Sequence, residues 1–157
     1  MNVNIRLATV EDLTAICELA EQSVRLHYQH APQVFAPPPG IERDREFWLS
    51  LIQAQYACFW VAEQQQQVLG FCFARLLPAG LSFLRNRLLC HISTVVVDNR
   101  AQRQGIGASL VQAVERWAKQ QRAAEVRLEV FDFNEPAIAL YTKQGFHTQS
   151  HIMTKLI

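Results

Sequence analysis

The sequence lacks the features that mark several large classes of protein. It has no surplus of charge, since 15 Lys and Arg residues balance 14 Asp and Glu residues to give a formal net charge of +1. A protein held to nucleic acid by phosphate neutralisation needs a clear basic excess, so we expect no nucleic-acid partner. No apolar run approaches the roughly 20 residues that cross a bilayer, and Asn2, Asn4 and Arg6 stand where a secretory signal would be apolar. We therefore expect a cytoplasmic protein without a membrane partner.

Cysteine is scarce, and its spacing carries no metal or disulfide signature. The four cysteines never form a C-x-x-C pair, and each lies within an apolar pattern. This is typical of thiols that act as small core side chains. The histidines also lack a carboxylate or thiol at metal-like spacing, which leads us to expect no metal cofactor.

The remaining composition predicts one folded domain over residues 1–157. Half of the 157 residues are hydrophobic, and a chain of this length buries roughly two-thirds of the surface that it exposes when unfolded. Apolar periodicity predicts an α/β fold, with a mixed sheet and parallel pairing in its second half. The predicted elements are strands at residues 5–7, 56–63, 68–77, 88–97, 126–130 and 146–155, and helices at about 9–24, 47–52, 105–122 and 135–144.

The segment with the clearest chemical meaning joins a buried strand to a helix. Val95, Val96 and Val97 end the strand, a polar loop follows, and Gly105 and Gly107 open the helix. The first backbone N–H groups of a helix have no intrahelical acceptor, and the helix dipole places positive charge beside them. Glycine lets a ligand approach the backbone closely, so the segment predicts a pyrophosphate cradle.

Two common nucleotide motifs do not fit this segment, and one apparent catalytic pair fails as well. A Rossmann loop needs a third glycine near position 110, where Leu110 stands, and a Walker loop needs a lysine that is absent nearby. Cys90 and His91 are adjacent on a predicted strand, so their side chains point to opposite faces. The glycine pair alone is also compatible with a strand-to-helix turn that binds nothing.

A third motif does fit, and a second one follows it at the expected distance. Gln102-x-x-Gly105-x-Gly107 resembles motif A, [QR]-x-x-G-x-[GA], of the GNAT acetyltransferase superfamily. Asn134-x-x-Ala-x-x-Leu-Tyr141-x-x-x-Gly-Phe resembles that family's downstream motif, N-x-x-A-x-x-[LF]-Y-x-x-x-G-F. The resemblance covers essentially the whole chain and is weakest between residues 25 and 55.

The resemblance implies a GNAT-like fold whose fourth and fifth strands splay apart around acetyl-CoA, the cosubstrate. The strand backbone pairs with the pantetheine arm as an added strand would, and the following loop and helix start bind the pyrophosphate. Arg100 is a further source of positive charge. The coenzyme-binding residues implied in this way are Val95, Val96, Val97, Gln102, Arg103, Gln104, Gly105, Ile106, Gly107, Ala108 and Asn134.

The resemblance also implies a general acid, and the residues suggest a base. Tyr141 corresponds to the tyrosine that protonates the leaving thiolate, although a core tyrosine would also fit its position. A primary amine is mostly protonated near pH 7, so a base must take a proton, and His91 has a suitable ordinary pKa. We expect His91 to share a strand face with Ser93 and Val95. The alternatives are that a water relay is the base, or that His91 only lines the groove or is hydrogen-bonded within the sheet. Glu129 and Asp132 are weaker candidates.

The resulting prediction is an acetyl-CoA-dependent N-acetyltransferase in which a primary amine attacks the thioester directly. The alternative is a non-catalytic acetyl-CoA-binding module that acts through a partner. The acceptor stays open among small amines, antibiotics, amino acids and peptide amines, because the family varies the region that corresponds to residues 25–47. A homodimer is also compatible with the resemblance.

Overall fold

The structure is a computed structural model that describes residues 2–78 and 80–157. These residues form five strands and four α-helices. The strands are β1 (Asn4–Leu7), β2 (Ala57–Gln64), β3 (Gln67–Pro78), β4 (Leu88–Val97) and β5 (Glu125–Leu128). The helices are α1 (Leu13–His30), α2 (Arg45–Ile52), α3 (Ile106–Gln120) and α4 (Glu135–Lys143).

The five strands form one mixed sheet in the order β1-β2-β3-β4-β5. The first three pairings are antiparallel, and β4 pairs with β5 in parallel, as the sequence predicts. This parallel pairing covers only four positions, from Leu89 opposite Glu125 to Ile92 opposite Leu128. β4 continues to Val97 beyond that point, so the two strands separate and leave half of one β4 edge unpaired. The predicted splay is therefore confirmed.

Helices cover both faces of the sheet and divide the core into two clusters. On one face, Leu110 and Val114 of α3 pack against the buried Cys72 and Cys90. On the other face, α1 and α2 pack against a cluster that includes Phe71. All four cysteines are buried free thiols, which confirms the prediction that they serve as core side chains.

A β-bulge in β4 changes which side chains share a face. Thr94 pairs with Phe73 and Ile92 pairs with Ala74, so Ser93 is an extra residue in the register. The extra residue reverses the alternation of side chains downstream. Val95 therefore belongs to the α3 cluster, with Cys90 and Ile92, and lies on the face opposite His91. The expectation that His91 and Val95 share a face is wrong, because regular alternation does not account for a bulge.

The last predicted strand, at residues 146–155, is not formed. After the Phe146 backbone N–H donates to the Tyr141 carbonyl at 3.0 Å, residues 147–157 continue as an exposed, irregular segment. Strand propensity depends on a neighbouring strand to pack against, and β5 is only four residues long. The β-like composition of this segment therefore does not place it in the sheet.

The start of α1 is held by a buried carboxylate. Asp12 accepts the backbone N–H of Thr9 at 2.8 Å, which caps the turn that leads into α1. The same carboxylate receives two hydrogen bonds of 2.8 Å from the Arg6 guanidinium on β1. The Asp12 carboxylate thereby links β1 to the start of α1.

No helix within residues 2–78 and 80–157 is long and apolar enough to span a membrane.

Candidate functional site

The central feature of the site is the cleft between the separated ends of β4 and β5. The Asp98 N–H donates to the Leu69 carbonyl on β3 at 2.8 Å, and the Val96 carbonyl also faces β3 at Gly70. Backbone groups of successive strand residues point to opposite sides, so Val95 and Val97 direct theirs into the cleft. No β5 residue pairs with them there. Their N–H and C=O groups are therefore available to an extended ligand.

The unpaired strand edge leads into a loop whose amides form a concave surface. Arg103 and Gly105 have left-handed backbone conformations, with φ of 62° and 80°. Left-handed residues in a turn direct neighbouring N–H groups toward one side, which is the type of geometry found in anion-binding nests. The Ser109 N–H donates to the Gly105 carbonyl at 3.0 Å, so the amides of Ile106, Gly107 and Ala108 precede the regular bonds of α3. Phosphate oxygens suit this arrangement.

The two glycines of the motif have different surroundings. A Cβ on Gly105 would meet no atom within 4 Å, and Gly105 is exposed at the helix start. A Cβ on Gly107 would lie 2.9 Å from Leu140 Cδ2 on α4. Gly105 therefore leaves space for a ligand, while Gly107 also permits close packing of α3 against α4.

Side chains within the loop hold its shape. Asp98 is buried, accepts the Arg100 N–H at 2.9 Å and forms an ion pair of 2.9 Å with the Arg100 guanidinium. These contacts lower the pKa of Asp98 below its usual value. Gln102 Nε2 donates to Asn99 Oδ1 at 3.1 Å. Arg100 thus braces the loop through Asp98 while its side chain stays largely exposed. Arg103 and Gln104 are also exposed beside the start of α3.

Helix α4 borders the cleft and carries Tyr141. Its first turn is capped by Asn134, whose Oδ1 accepts the Ala137 N–H at 3.3 Å. The Tyr141 ring packs 5.8 Å from the Phe146 ring and joins the α3-side core cluster. Burial, with a smaller contribution from Cys72, raises the pKa of Tyr141 to about 12. The phenol is therefore protonated at neutral pH.

His91 lies on the opposite face of the sheet, close to the point where β4 and β5 separate. Its Nδ1 is 3.3 Å from Ser93 Oγ, so these two side chains do share a face, as predicted. Partial burial lowers the pKa of His91 below its usual value of 6.5. The Glu129 carboxylate opposes this change, and the guanidinium groups on the adjacent strands add to it. His91 is therefore neutral near pH 7 and able to accept a proton.

The comparisons with known proteins agree with this geometry. A family model described as the acetyltransferase (GNAT) family matches residues 21–146. This chain is a member of the GNAT acetyltransferase family. Over 97 residues it is 36% identical to human N-acetyltransferase 8, a match that covers 62% of this chain and 41% of the human protein. The chain thus spans less than half the length of that relative.

Solved structures of GNAT-like fold also match this family member over nearly its whole length. A mutant of the BH1408 protein from Bacillus halodurans superimposes with a TM-score of 0.91 at 23% identity, covering 98% of this chain and 99% of that one. The aminoglycoside N-acetyltransferase AAC(6')-Iy, in complex with the bisubstrate analogue CoA-S-monomethyl-acetylneamine, gives a TM-score of 0.77 at 16% identity. That match covers 100% of this chain and 99% of the other. At these identities the likeness shows the fold.

An aromatic cluster closes the α1 side of the cleft in this GNAT member, and the sequence did not reveal it. Gln22 of α1 accepts the Asn99 N–H at the end of β4, at 3.1 Å. Further along α1, the His27 ring lies 5.8 Å from Phe131 and 5.4 Å from Phe133, in the segment that follows β5. α1 therefore bridges the two diverging strands. The rings are far apart in sequence, so only the packing of α1 brings them together.

The arrangement has no metal centre among the residues that the structure describes. Within residues 2–78 and 80–157, no group of three His, Cys, Asp or Glu side chains is placed to hold a metal ion. The candidate site is instead built from the free β4 edge and the amides at the start of α3.

Proposed function

We propose that the protein transfers the acetyl group of acetyl-CoA to a primary amine. The observation that carries the proposal is the unpaired β4 edge leading directly into the amide nest at the start of α3. An extended amide-bearing arm followed by a pyrophosphate has the chemistry that such a surface binds. The known fold of the family and the CoA-bound neighbour support the assignment.

The residues present fit the coenzyme in a definite order. Val95 and Val97 offer backbone groups to the pantetheine arm, and the Asn134 side chain borders it. The amides from Gly105 to Ala108 receive the pyrophosphate, whose negative charge the helix dipole favours. The exposed Arg103 guanidinium adds charge beside the nest.

The chemistry requires proton transfers at the acceptor nitrogen and at the leaving sulfur, and we assign one residue to each. His91 takes a proton from the acceptor ammonium, directly or through water, and frees the nitrogen lone pair. The amine nitrogen attacks the thioester carbonyl carbon, the C–N bond forms, and the C–S bond breaks. Backbone N–H groups at the β4 edge stabilise the oxyanion. Tyr141 donates its phenolic proton to the departing thiolate. The acylated nitrogen loses its second proton through water, which restores the phenol, so the products are a neutral amide and CoA thiol.

Acetyl-CoA binding is the first test of this proposal. At 100 times its Kd, a ligand that binds only the folded protein stabilises it by about 2.7 kcal/mol. For a domain of this size, that stabilisation raises the Tm by about 5–11 °C. Release of CoA thiol in the presence of an amine panel then measures turnover. An unchanged Tm at millimolar acetyl-CoA contradicts the proposal, and binding without turnover of any amine favours the non-catalytic module.

A further inference from the structure

Three basic side chains lie side by side across the sheet next to the proposed acceptor site. Arg75 of β3 pairs directly with His91 of β4, and His91 pairs directly with Arg127 of β5. Directly paired residues share a face of the sheet, and their Cα atoms are about 4.5–5.5 Å apart. The two guanidinium groups therefore originate roughly 10 Å apart, with the imidazole between them. We name this feature the basic row.

The two arginines of the basic row differ in their counter-charges. Arg127 is compensated, because it donates to Glu125 Oε1 from Nε at 3.0 Å and from Nη2 at 2.6 Å. Glu125 is also shared with Arg87 at 2.9 Å. Among residues 2–78 and 80–157, the structure gives Arg75 no ion pair of its own. Its side chain is exposed and has charge available for a ligand.

The position of the basic row relates it to the acceptor rather than to the coenzyme. The coenzyme edge of β4 begins beyond Ile92, and α3 covers the face that carries Cys90. His91 and Ser93 lie on the other face, where an acceptor can reach the end of the cleft without displacing α3. Glu129 lies close enough to His91 to act on it electrostatically. A negative group for an ammonium and a positive group for an anion thus flank the same imidazole.

We propose that the acceptor is a primary amine that also carries an oxyanion. Arg75 binds this oxyanion, while Arg127, at the other end of the basic row, stays paired with Glu125. The inference rests on the proposed function, because it names the acceptor class of the same site. The ammonium lies toward Glu129 and His91, and the oxyanion lies toward Arg75. A carboxylate and a phosphate both suit a guanidinium, which binds either through paired N–H groups.

Matched acceptors test the charge requirement. β-Alanine is compared with β-alanine amide, and phosphoethanolamine with ethanolamine, so each pair differs in the anionic group. Hydrogen bonds to charged groups predict that the anionic member of at least one pair has a kcat/KM about 10- to 100-fold higher. Which pair shows the difference identifies the oxyanion as a carboxylate or a phosphate.

Variants of Arg75 then test whether this side chain binds the oxyanion. Arg75→Gln should raise KM for the preferred anionic acceptor at least tenfold, leave kcat largely unchanged, and leave KM for the neutral partner within about twofold. Arg75→Lys should restore part of the loss. Arg85→Gln is the matched control, because Arg85 is an exposed arginine outside the basic row and outside the coenzyme site. A purely structural role for Arg75 would change both members of a pair alike.

The outcomes separate the two proposals. Equal kcat/KM within both pairs, or an Arg75→Gln variant that keeps the preference, overturns the inference and leaves acetyl transfer intact. Acetylation of neutral or cationic amines alone would also overturn the inference and leave acetyl transfer intact. Failure to acetylate any amine, together with no acetyl-CoA-induced rise in Tm, contradicts the proposed function itself.

Discussion

Replacing Gly105 with valine should abolish tight acetyl-CoA binding at a modest cost in stability. Gly105 has a φ of +80°, and a Cβ there would meet no protein atom within 4 Å. The cost to the fold is therefore backbone strain alone, about 1–3 kcal/mol for a side chain held in the left-handed region. This corresponds to a Tm decrease of about 2–12 °C in a domain of this size.

The effect on binding has a different origin and a larger expected size. The valine side chain would project into the space where the pyrophosphate approaches the α3 amides. Losing one or two hydrogen bonds to a charged group costs about 1.5–3 kcal/mol each, so Kd should rise at least about tenfold. Titration calorimetry with acetyl-CoA measures this change directly in the folded variant.

A second glycine supplies the control for backbone strain. Gly40 has a φ of +91°, and a Cβ there also meets no atom within 4 Å, but it lies in the loop between α1 and α2. Gly40→Val should lower the Tm by a similar amount and keep acetyl-CoA affinity. If Gly105→Val binds acetyl-CoA as tightly as the parent protein, the nest at the start of α3 is not the pyrophosphate site.

Three further predictions concern catalysis and stability. Tyr141→Phe should lower kcat about 10²- to 10⁴-fold with little change in acetyl-CoA affinity, because it removes the proton for the thiolate and keeps the buried ring; full turnover with a good acceptor contradicts the assignment. The pKa of His91 is lowered, so the midpoint of the acid limb in the pH profile of kcat/KM should lie below pH 6.5. This limb should be absent from the profile of His91→Ala. The pKa of Asp12 is also lowered, so its stabilising effect is present above about pH 3.8 and is lost as pH falls through the folded-state value. Urea titration at pH 7 should therefore find Asp12→Asn less stable by about 1–3 kcal/mol. An unchanged midpoint would show that the Arg6–Asp12 pair contributes nothing to the free energy of unfolding.

The sequence by itself determined the order of most elements and the coenzyme half of the site. Apolar periodicity placed all five strands and three of the four helices to within a few residues, because each element must bury one face. α1 continues to His30, beyond the predicted end at residue 24. The glycine and asparagine spacings located the α3 start and Tyr141, because such motifs act through local backbone geometry. That is why Gly105 is found with a left-handed backbone at the N-terminus of α3.

Only the tertiary structure decided which distant residues meet. The bulge at Ser93 has no sequence signal, and it moves Val95 to the face opposite His91. The irregular segment after Phe146 has strand-like composition, but propensity cannot provide the neighbouring strand that it lacks. The pairing of Arg75 with His91 and Arg127 depends on the register of three strands, and a slip of one residue would turn either arginine to the opposite face. The proposed acceptor side of the site therefore depends on register and packing, whereas the proposed coenzyme side depends on local sequence.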